Sequence, residues 1–299
     1  MNLSKSNAGV FMNFDKMKQQ LLERKLDLVK AEMGELPYQT FEFITTGCEK
    51  DVLVLDKKTV ISFYRDGLQV DSYGVRQELI RRLGNTETAL PECLYISPTK
   101  DFVVEKYVPG YRITLEYVKG HQENATHIGR SIGRFLRQLH MESKQGLDLK
   151  TGFEQDARND MEEGIKLLET KLSESEMSQV MDFLNLYYTI SASIQTCVVH
   201  GDFHYNNILW DENTRRLGVI DFNEGGIEDP ALDFMYMCYY PEEFRHAVFE
   251  EYGSKDSSLH ERSQMYDRIY GLYDMIETIQ NNPRKPDFQK GYLRFFEKR

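Results

Sequence analysis

The 299-residue sequence predicts an α+β chain in two lobes: a small lobe with a five-stranded antiparallel sheet and one helix, then a larger, mainly helical lobe. Short β-rich runs crowd the stretch from 40 to 108, helical patterns fill almost everything after 112, and one β-rich interruption, 196–222, sits inside that helical half. Residues 1–36 form an N-terminal helical extension. Met17, Leu21, Leu22, Leu26, Leu28 and Val29 recur among Lys, Gln and Glu there, and Gly34 and Pro37 close the segment. The small lobe, 37–108, begins with FEFITTG, DVLVLD and TVISFY, three strands joined by tight turns. A helix over about 70–83 follows, and then the strands CLYIS and FVVEKYV around the polar turn 98–101. The large lobe, 109–299, carries helices near 123–141, 155–171, 175–193, 231–237, 241–252 and 257–280.

Composition narrows the function. The net charge of −11 argues against a nucleic-acid partner, because phosphate backbones are held by clustered Lys and Arg; it leaves cationic ligands open. Cys48, Cys93, Cys197 and Cys238 are far apart and form no C-x-x-C pair, which suits reduced thiols in a cytoplasmic protein rather than disulfides or a zinc site. No run approaches the ~18 apolar residues of a membrane span, and the N-terminus lacks a signal-peptide pattern. The expectation is a cytoplasmic monomer or weak dimer.

The chemistry concentrates in VVHGDFHYNNILWDENTRRLGVIDFNEGGIEDPALDF, residues 198–234. Asp202 lies five residues before Asn207, and Asp221 fourteen after it; these are the spacings of the catalytic loop and metal loop of kinases. ILW and GVI read as an antiparallel hairpin centred near Thr214, which sets Asn207 opposite Asp221 so that an amide oxygen and a carboxylate face one point. That donor pair suits Mg²⁺, a hard ion that takes one or two protein groups and completes its shell with water and substrate phosphates. Asp202, before the hairpin, is free to accept the proton of an acceptor hydroxyl. His200 reads as an architectural residue that hydrogen-bonds the loop, and Gly201 as the permit for a tight backbone. Asp229, followed by Pro230, reads as a helix N-cap, and Asp233 as a brace of the catalytic loop from that helix.

H-G-D-F-H-Y-N-N (200–207), G-V-I-D-F (218–222) and D-P-A-L-D-F (229–234), with FLRQLH (135–140) and EKYVPGYRIT (105–114) upstream, resemble the aminoglycoside phosphotransferase family. Its relatives include choline, homoserine and fructosamine kinases. The resemblance covers about 40 to 280 and implies a bilobal protein-kinase-like fold, ATP or GTP as co-substrate with Mg²⁺, and a nucleotide base held through backbone groups of the hinge-like segment Glu105–Val108, with Glu105 and Tyr107 as its residues. Three departures stand out. The metal motif reads D-F-N, with Asn223 in the usual glycine position, a residue that tolerates the same left-handed backbone. The nucleotide loop, TTGCEKD (45–51), has a single glycine. Ser62 stands where the family strand carries a phosphate-binding lysine. Lys50 and Arg65 are the cations that could replace it, and strand parity favours Lys50. Glu78 is the natural helix partner, although a strict register puts Arg76 there.

Between Asp221 and Glu251 nine carboxylates face one arginine, Arg245. Such a stretch would concentrate a polycationic acceptor, with Glu224, Glu228 and Glu242 as its contacts. An aminoglycoside fits best. A kinase of a housekeeping metabolite of the choline or homoserine type, and a kinase-like regulatory protein impaired by Ser62, are the alternatives.

Overall fold

The β-rich runs of the first hundred residues pair into one antiparallel sheet in the order β1 (Phe41–Ile44), β2 (Lys50–Leu55), β3 (Thr59–Tyr64), β5 (Val103–Lys106), β4 (Cys93–Ile96). The computed structural model describes residues 5–45, 50–65, 73–84, 87–99, 101–151, 153–191, 193–282 and 286–297. Residues 46–49, most of the expected nucleotide loop, and 70–72, the expected start of the first lobe helix, lie outside them. Contacts divide the chain into two compact units, Met1–Asp71 with Pro91–Tyr107, and Ser72–Leu90 with Val108–Arg299. The segment 72–90, grouped by the sequence with the small lobe, thus clusters with the helical unit.

In the first unit, alternation along β2 and β3 separates two faces. Leu53, Leu55, Ile61 and Phe63 point to one side and form a core with Phe43, Phe102 and Val104. The helix α1 (Lys5–Met33) packs on that side through Leu22 and Val29, so the segment read as an extension is a wall of this core. Burying each such aliphatic chain is worth about 1.5–3 kcal/mol. Its far end is tied down by Glu32, which accepts hydrogen bonds from Ser97 Oγ at 2.9 Å and Thr99 Oγ1 at 2.7 Å. The β2–β3 turn, residues 56–58, takes positive φ at Asp56 and Lys57, closed by Lys58 N–H on the Leu55 carbonyl at 2.9 Å.

The second unit contains α2 (Tyr73–Leu83), α3 (Leu115–Gly120), α4 (Gln122–His140), α5 (Phe153–Leu168), α6 (Glu174–Ser191), α7 (Glu242–Tyr252), α8 (Leu259–Ile279) and α9 (Phe288–Phe296). Two small sheets complete it: β6 (Tyr111–Arg112), β9 (Ile208–Asp211) and β10 (Arg216–Val219), and then β7 (Lys150–Thr151), β8 (Cys197–Val199) and β11 (Gly226–Glu228). The expected helix at 231–237 is instead part of a 3₁₀ helix, Pro230–Tyr239. Asp229 caps it by accepting from Ala231 N–H at 2.9 Å. The core gathers Ile128, Phe135, Leu136, Val198, Phe203, Trp210, Phe222 and Phe234. Helices α4 and α7 meet backbone to backbone: a Cβ on Gly129 would lie 2.8 Å from the Phe244 carbonyl oxygen, and one on Gly133 would collide with that of Val248.

The hairpin of the chemical segment forms, one residue away from the expected register. Val219 pairs with Ile208, and Ile220 N–H donates to the Asn207 carbonyl at 3.0 Å, so Asn207 stands opposite Ile220 and not Asp221. The turn is centred between Asn213 and Thr214, pinned by the Asp211 carboxylate, which accepts from Asn213 N–H at 3.0 Å and Thr214 Oγ1 at 2.6 Å. The strand ends there because Asp221 turns into the left-handed region, φ 66°. Asn223, expected to share that conformation, lies inside the 3₁₀ turn Phe222–Glu224 that Asp221 caps.

Candidate active site

The loop after β8 is held from three directions. Asp233, wholly buried on the 3₁₀ helix, accepts from His200 N–H at 2.8 Å and Gly201 N–H at 2.9 Å. His140, the last residue of α4, approaches the same carboxylate with Nε2 at 3.0 Å, while its Nδ1 meets Tyr252 Oη at 2.8 Å. The His200 ring spans loop and hairpin. Its Nε2 faces the Ile220 carbonyl at 3.0 Å and must carry the proton, so Nδ1 is the acceptor for Asp202 N–H at 3.3 Å. Gly201 has φ 81°, and a Cβ there would collide with the Glu224 carbonyl, so the loop of Asp202 and the turn after Asp221 touch where only glycine fits.

These supports present Asp202. Its Oδ2 accepts from Asn207 Nδ2 at 2.9 Å and lies 3.3 Å from His204 Nε2. Because His204 Nδ1 accepts the Asn206 N–H at 3.2 Å, the His204 proton sits on Nε2, aimed at the carboxylate. Burial raises the Asp202 pKa, but the hydrogen bonds from His204 and Asn207, with the electrostatic pull of the neighbouring His204 and His200 rings, outweigh it and hold the carboxyl below its ordinary value. The side chain remains 40% exposed, so an ionised oxygen is available to an incoming hydroxyl.

Asn207 Nδ2 also donates to the Asp202 carbonyl at 2.9 Å. With its NH₂ group committed, the opposite edge of the amide is an oxygen, the donor type a hard cation takes, and Asp221 supplies a carboxylate from the end of the paired strand. The residues present therefore fit Mg²⁺. Among the described residues no group of three or more His, Cys, Asp or Glu gathers as a metal site, and a magnesium ion shared with phosphates and water does not require one.

The remaining expected residues are placed as follows. In the first unit Lys50, Ser62 and Glu105 share the sheet face opposite α1, since Lys50 pairs with Tyr64, Ser62 with Val103 and Glu105 with Val60. Lys50 Nζ lies 6.0 Å from the Tyr64 ring centroid. Arg65 is engaged on the other side by buried Asp51 at 2.8 Å and the Thr45 carbonyl at 2.8 Å. Tyr107 N–H donates to the Lys58 carbonyl at 2.8 Å and Lys106 N–H to that of Glu92 at 2.8 Å, so these two hinge amides are used within the unit. In the second unit Glu78 is bound by Arg81 at 2.8 Å and Arg82 at 2.9 Å, whose hydrogen bonds push its pKa down to about 2.

The acidic stretch does not form one wall. Asp229 is paired with Arg262, Asp233 braces the loop, Glu250 lies 3.9 Å from Arg130, and Glu251 is 3.5 Å from Arg134. Glu228 is buried on β11 and Glu242 is exposed on the first turn of α7; Glu224 alone of the three expected contacts stands on the metal turn. Five further residues at the site had not been singled out. His204 bonds Asp202, and the Tyr236 ring lies 5.4 Å from that of His204. Arg294 of α9 sits over Tyr236 and Tyr270, at 5.6 and 5.5 Å, and pairs with Asp267. Their signals were weak: His204 could be read from its motif, whereas Arg294 lies beyond the recognisable region.

The model of the APH family, described as a phosphotransferase enzyme family, matches residues 76–272 and so takes in the whole loop, hairpin and metal turn. The chain belongs to this family. Three solved structures show the same fold as this phosphotransferase. The GDP complex of aminoglycoside 2'-phosphotransferase-IIIa has a TM-score of 0.79 at 16% identity, over 92% of this chain and 97% of that one. The gentamicin complex of APH(2'')-IIa has 0.70 at 20%, over 92% and 96%. A choline/ethanolamine kinase family protein from Mesorhizobium loti has 0.68 at 17%, over 90% and 92%. No helix among the described residues of the phosphotransferase is long and apolar enough to cross a membrane.

Proposed function

We propose that this phosphotransferase moves the γ-phosphoryl group of a nucleoside triphosphate, ATP or GTP, to a hydroxyl of a small cationic molecule, an aminoglycoside being the best candidate. One observation carries the reading: Asp202 is ionised, half-open, and fixed through one oxygen by Asn207 and His204, which leaves its other oxygen for an acceptor hydroxyl. Asp202 takes the hydroxyl proton as the acceptor oxygen bonds to the γ-phosphorus and the bond from that phosphorus to the β,γ-bridging oxygen breaks. His204 and Asn207 keep the carboxylate oriented through this step. Asn207 and Asp221 would hold Mg²⁺, which supplies charge neutralisation on the transferring group. The acceptor class is supported by the likeness to the gentamicin-bound protein, and by Glu224 on the metal turn.

The likeness to the choline/ethanolamine kinase family protein favours one second reading, a kinase of a metabolic amino-alcohol. Both are tested by one screen: purified protein with Mg-ATP and Mg-GTP against a panel of aminoglycosides and against choline, ethanolamine and homoserine. Transfer to an aminoglycoside that Asp202→Ala lowers by about 10²-fold or more supports the first reading; transfer confined to the metabolites selects the second. Mg-nucleotide binding without turnover on any acceptor would point to the regulatory alternative suggested by Ser62.

A further inference from the structure

Two departures from the family pattern touch each other. Arg76 of α2, at the position where a strict register expects the helix glutamate, is 3% exposed, and its Nη1 donates to Asn223 Oδ1. Asn223 is the residue that stands where the metal motif usually ends in glycine. The guanidinium carbon also lies 5.4 Å from the Tyr73 ring centroid, so ring and amide both fix the side chain. A guanidinium keeps its charge throughout the pH range of a folded protein, and burying it demands hydrogen-bond acceptors. Glycine at 223 would offer no side-chain acceptor; asparagine does.

The consequence for charge is local to the metal turn. Asn223 lies two residues past Asp221 in the 3₁₀ turn that Asp221 caps, so its hydrogen bond brings a permanent positive charge up to that turn. The other groups expected near the phosphates are differently disposed. Ser62 has no charge, Glu78 is bound by Arg81 and Arg82, and Arg65 by Asp51, while Lys50, on the sheet of the first unit with Nζ 6.0 Å from the Tyr64 ring, is a second cation besides Arg76.

We propose that Arg76, fixed by Asn223, is the cation that meets the phosphate end of the Mg-nucleotide, in place of the strand lysine absent at Ser62; this rests on the kinase reading above. The two departures are then one exchange, a guanidinium on the helix and its acceptor on the metal turn, each of which makes sense of the other.

The test is calorimetric titration of Mg-ATP and Mg-GTP, and separately of adenosine and guanosine, into the full chain and its Arg76→Met, Arg76→Lys, Asn223→Gly and Arg76→Met/Asn223→Gly variants. Arg76→Met and Asn223→Gly should each weaken triphosphate binding by about tenfold or more with nucleoside affinity unchanged. The double variant should bind no more weakly than Arg76→Met, because both substitutions remove one arrangement; Arg76→Lys should fall between. Equal losses for nucleoside and triphosphate, additive losses, or no loss would each overturn the proposal. Thermal unfolding checks every variant, and Asn223→Gly with Arg76→Lys decides if Arg76→Met does not fold. A wild-type chain that binds no Mg-nucleotide removes the kinase reading and this proposal together, whereas normal wild-type binding with indifferent variants removes this proposal alone.

Discussion

Replacing Asp233 with Asn changes almost no volume and isolates the role of one buried carboxylate. Asp233 accepts from two backbone amides, His200 and Gly201, and from His140 Nε2. An amide side chain has one acceptor oxygen. If that oxygen faces His200 and His140, its NH₂ group faces the Gly201 N–H; if it turns round, the His200 N–H is opposed instead, even when His140 switches tautomer. One buried backbone N–H loses its acceptor in either orientation, at about 1–3 kcal/mol, and loss of the negative charge weakens the surviving bond by about 1 kcal/mol more. The sum, about 2–4 kcal/mol, corresponds to a drop of about 3–6 °C in Tm for a chain of this size. The same defect loosens the loop carrying Asp202, so kcat should fall by about tenfold or more at temperatures where the variant is folded. Scanning calorimetry and steady-state kinetics read both. An Asp233→Asn protein with wild-type Tm and kcat would refute the reasoning, because it would mean that the two amides need no buried acceptor.

His204→Ala should lower kcat by about tenfold, and should shift the acid limb of the kcat/KM profile upward, since a carboxyl relieved of its donor holds its proton to higher pH; His204→Gln, which keeps a donor, should recover most of the rate. Matching profiles for the Ala and Gln variants would discount the hydrogen bond. Lys50→Ala should weaken Mg-nucleotide binding more than Arg65→Ala does, whereas Arg65→Ala should cost about 1 kcal/mol in urea unfolding, since Arg65 is partly exposed and buried Asp51 keeps Lys25 at 3.9 Å. A reversed order of affinities would remove Lys50 from the nucleotide site. Glu78, with its pKa held at about 2, contributes stability that is fully present above its ordinary pKa near 4.5 and fades as pH falls towards 2. The gap between wild type and Glu78→Gln should therefore close across that acid window, and should shrink with added salt; a gap independent of pH would assign the effect to packing.

Local chemistry was the legible part. The turn after Asp211, the cap at Asp229 and the alternating strands are each decided by residues a few positions apart, and the spacing of Asp202, Asn207 and Asp221 follows from one short hairpin. Even there, Asp221 falls one position beyond its expected partner, because the turn is centred between Asn213 and Thr214 and not on Thr214, a half-residue difference that a counting argument misses. What sequence could not disclose involves distant partners. Arg76 and Asn223 are 147 positions apart. The acidic stretch looked like one surface, yet Asp229, Asp233, Glu250 and Glu251 find their partners on α4, α8 or the catalytic loop, and such pairings depend on the packing of elements that no local pattern specifies. Short elements such as β6, β7 and β11 escaped for the same reason, since two or three residues become a strand only when another strand is beside them.

The glycine contact between α4 and α7 reaches further than its own vicinity. Those helices end at His140 and Tyr252, the pair that steadies the acid beneath the catalytic loop. A bulkier residue at Gly133 would prise the helices apart and tilt both chain ends at once, as a wedge opens a hinge at its far edge. Enzyme variants damaged in turnover need not carry their lesion near the chemistry, and this buried seam is one place where such a lesion would act at a distance.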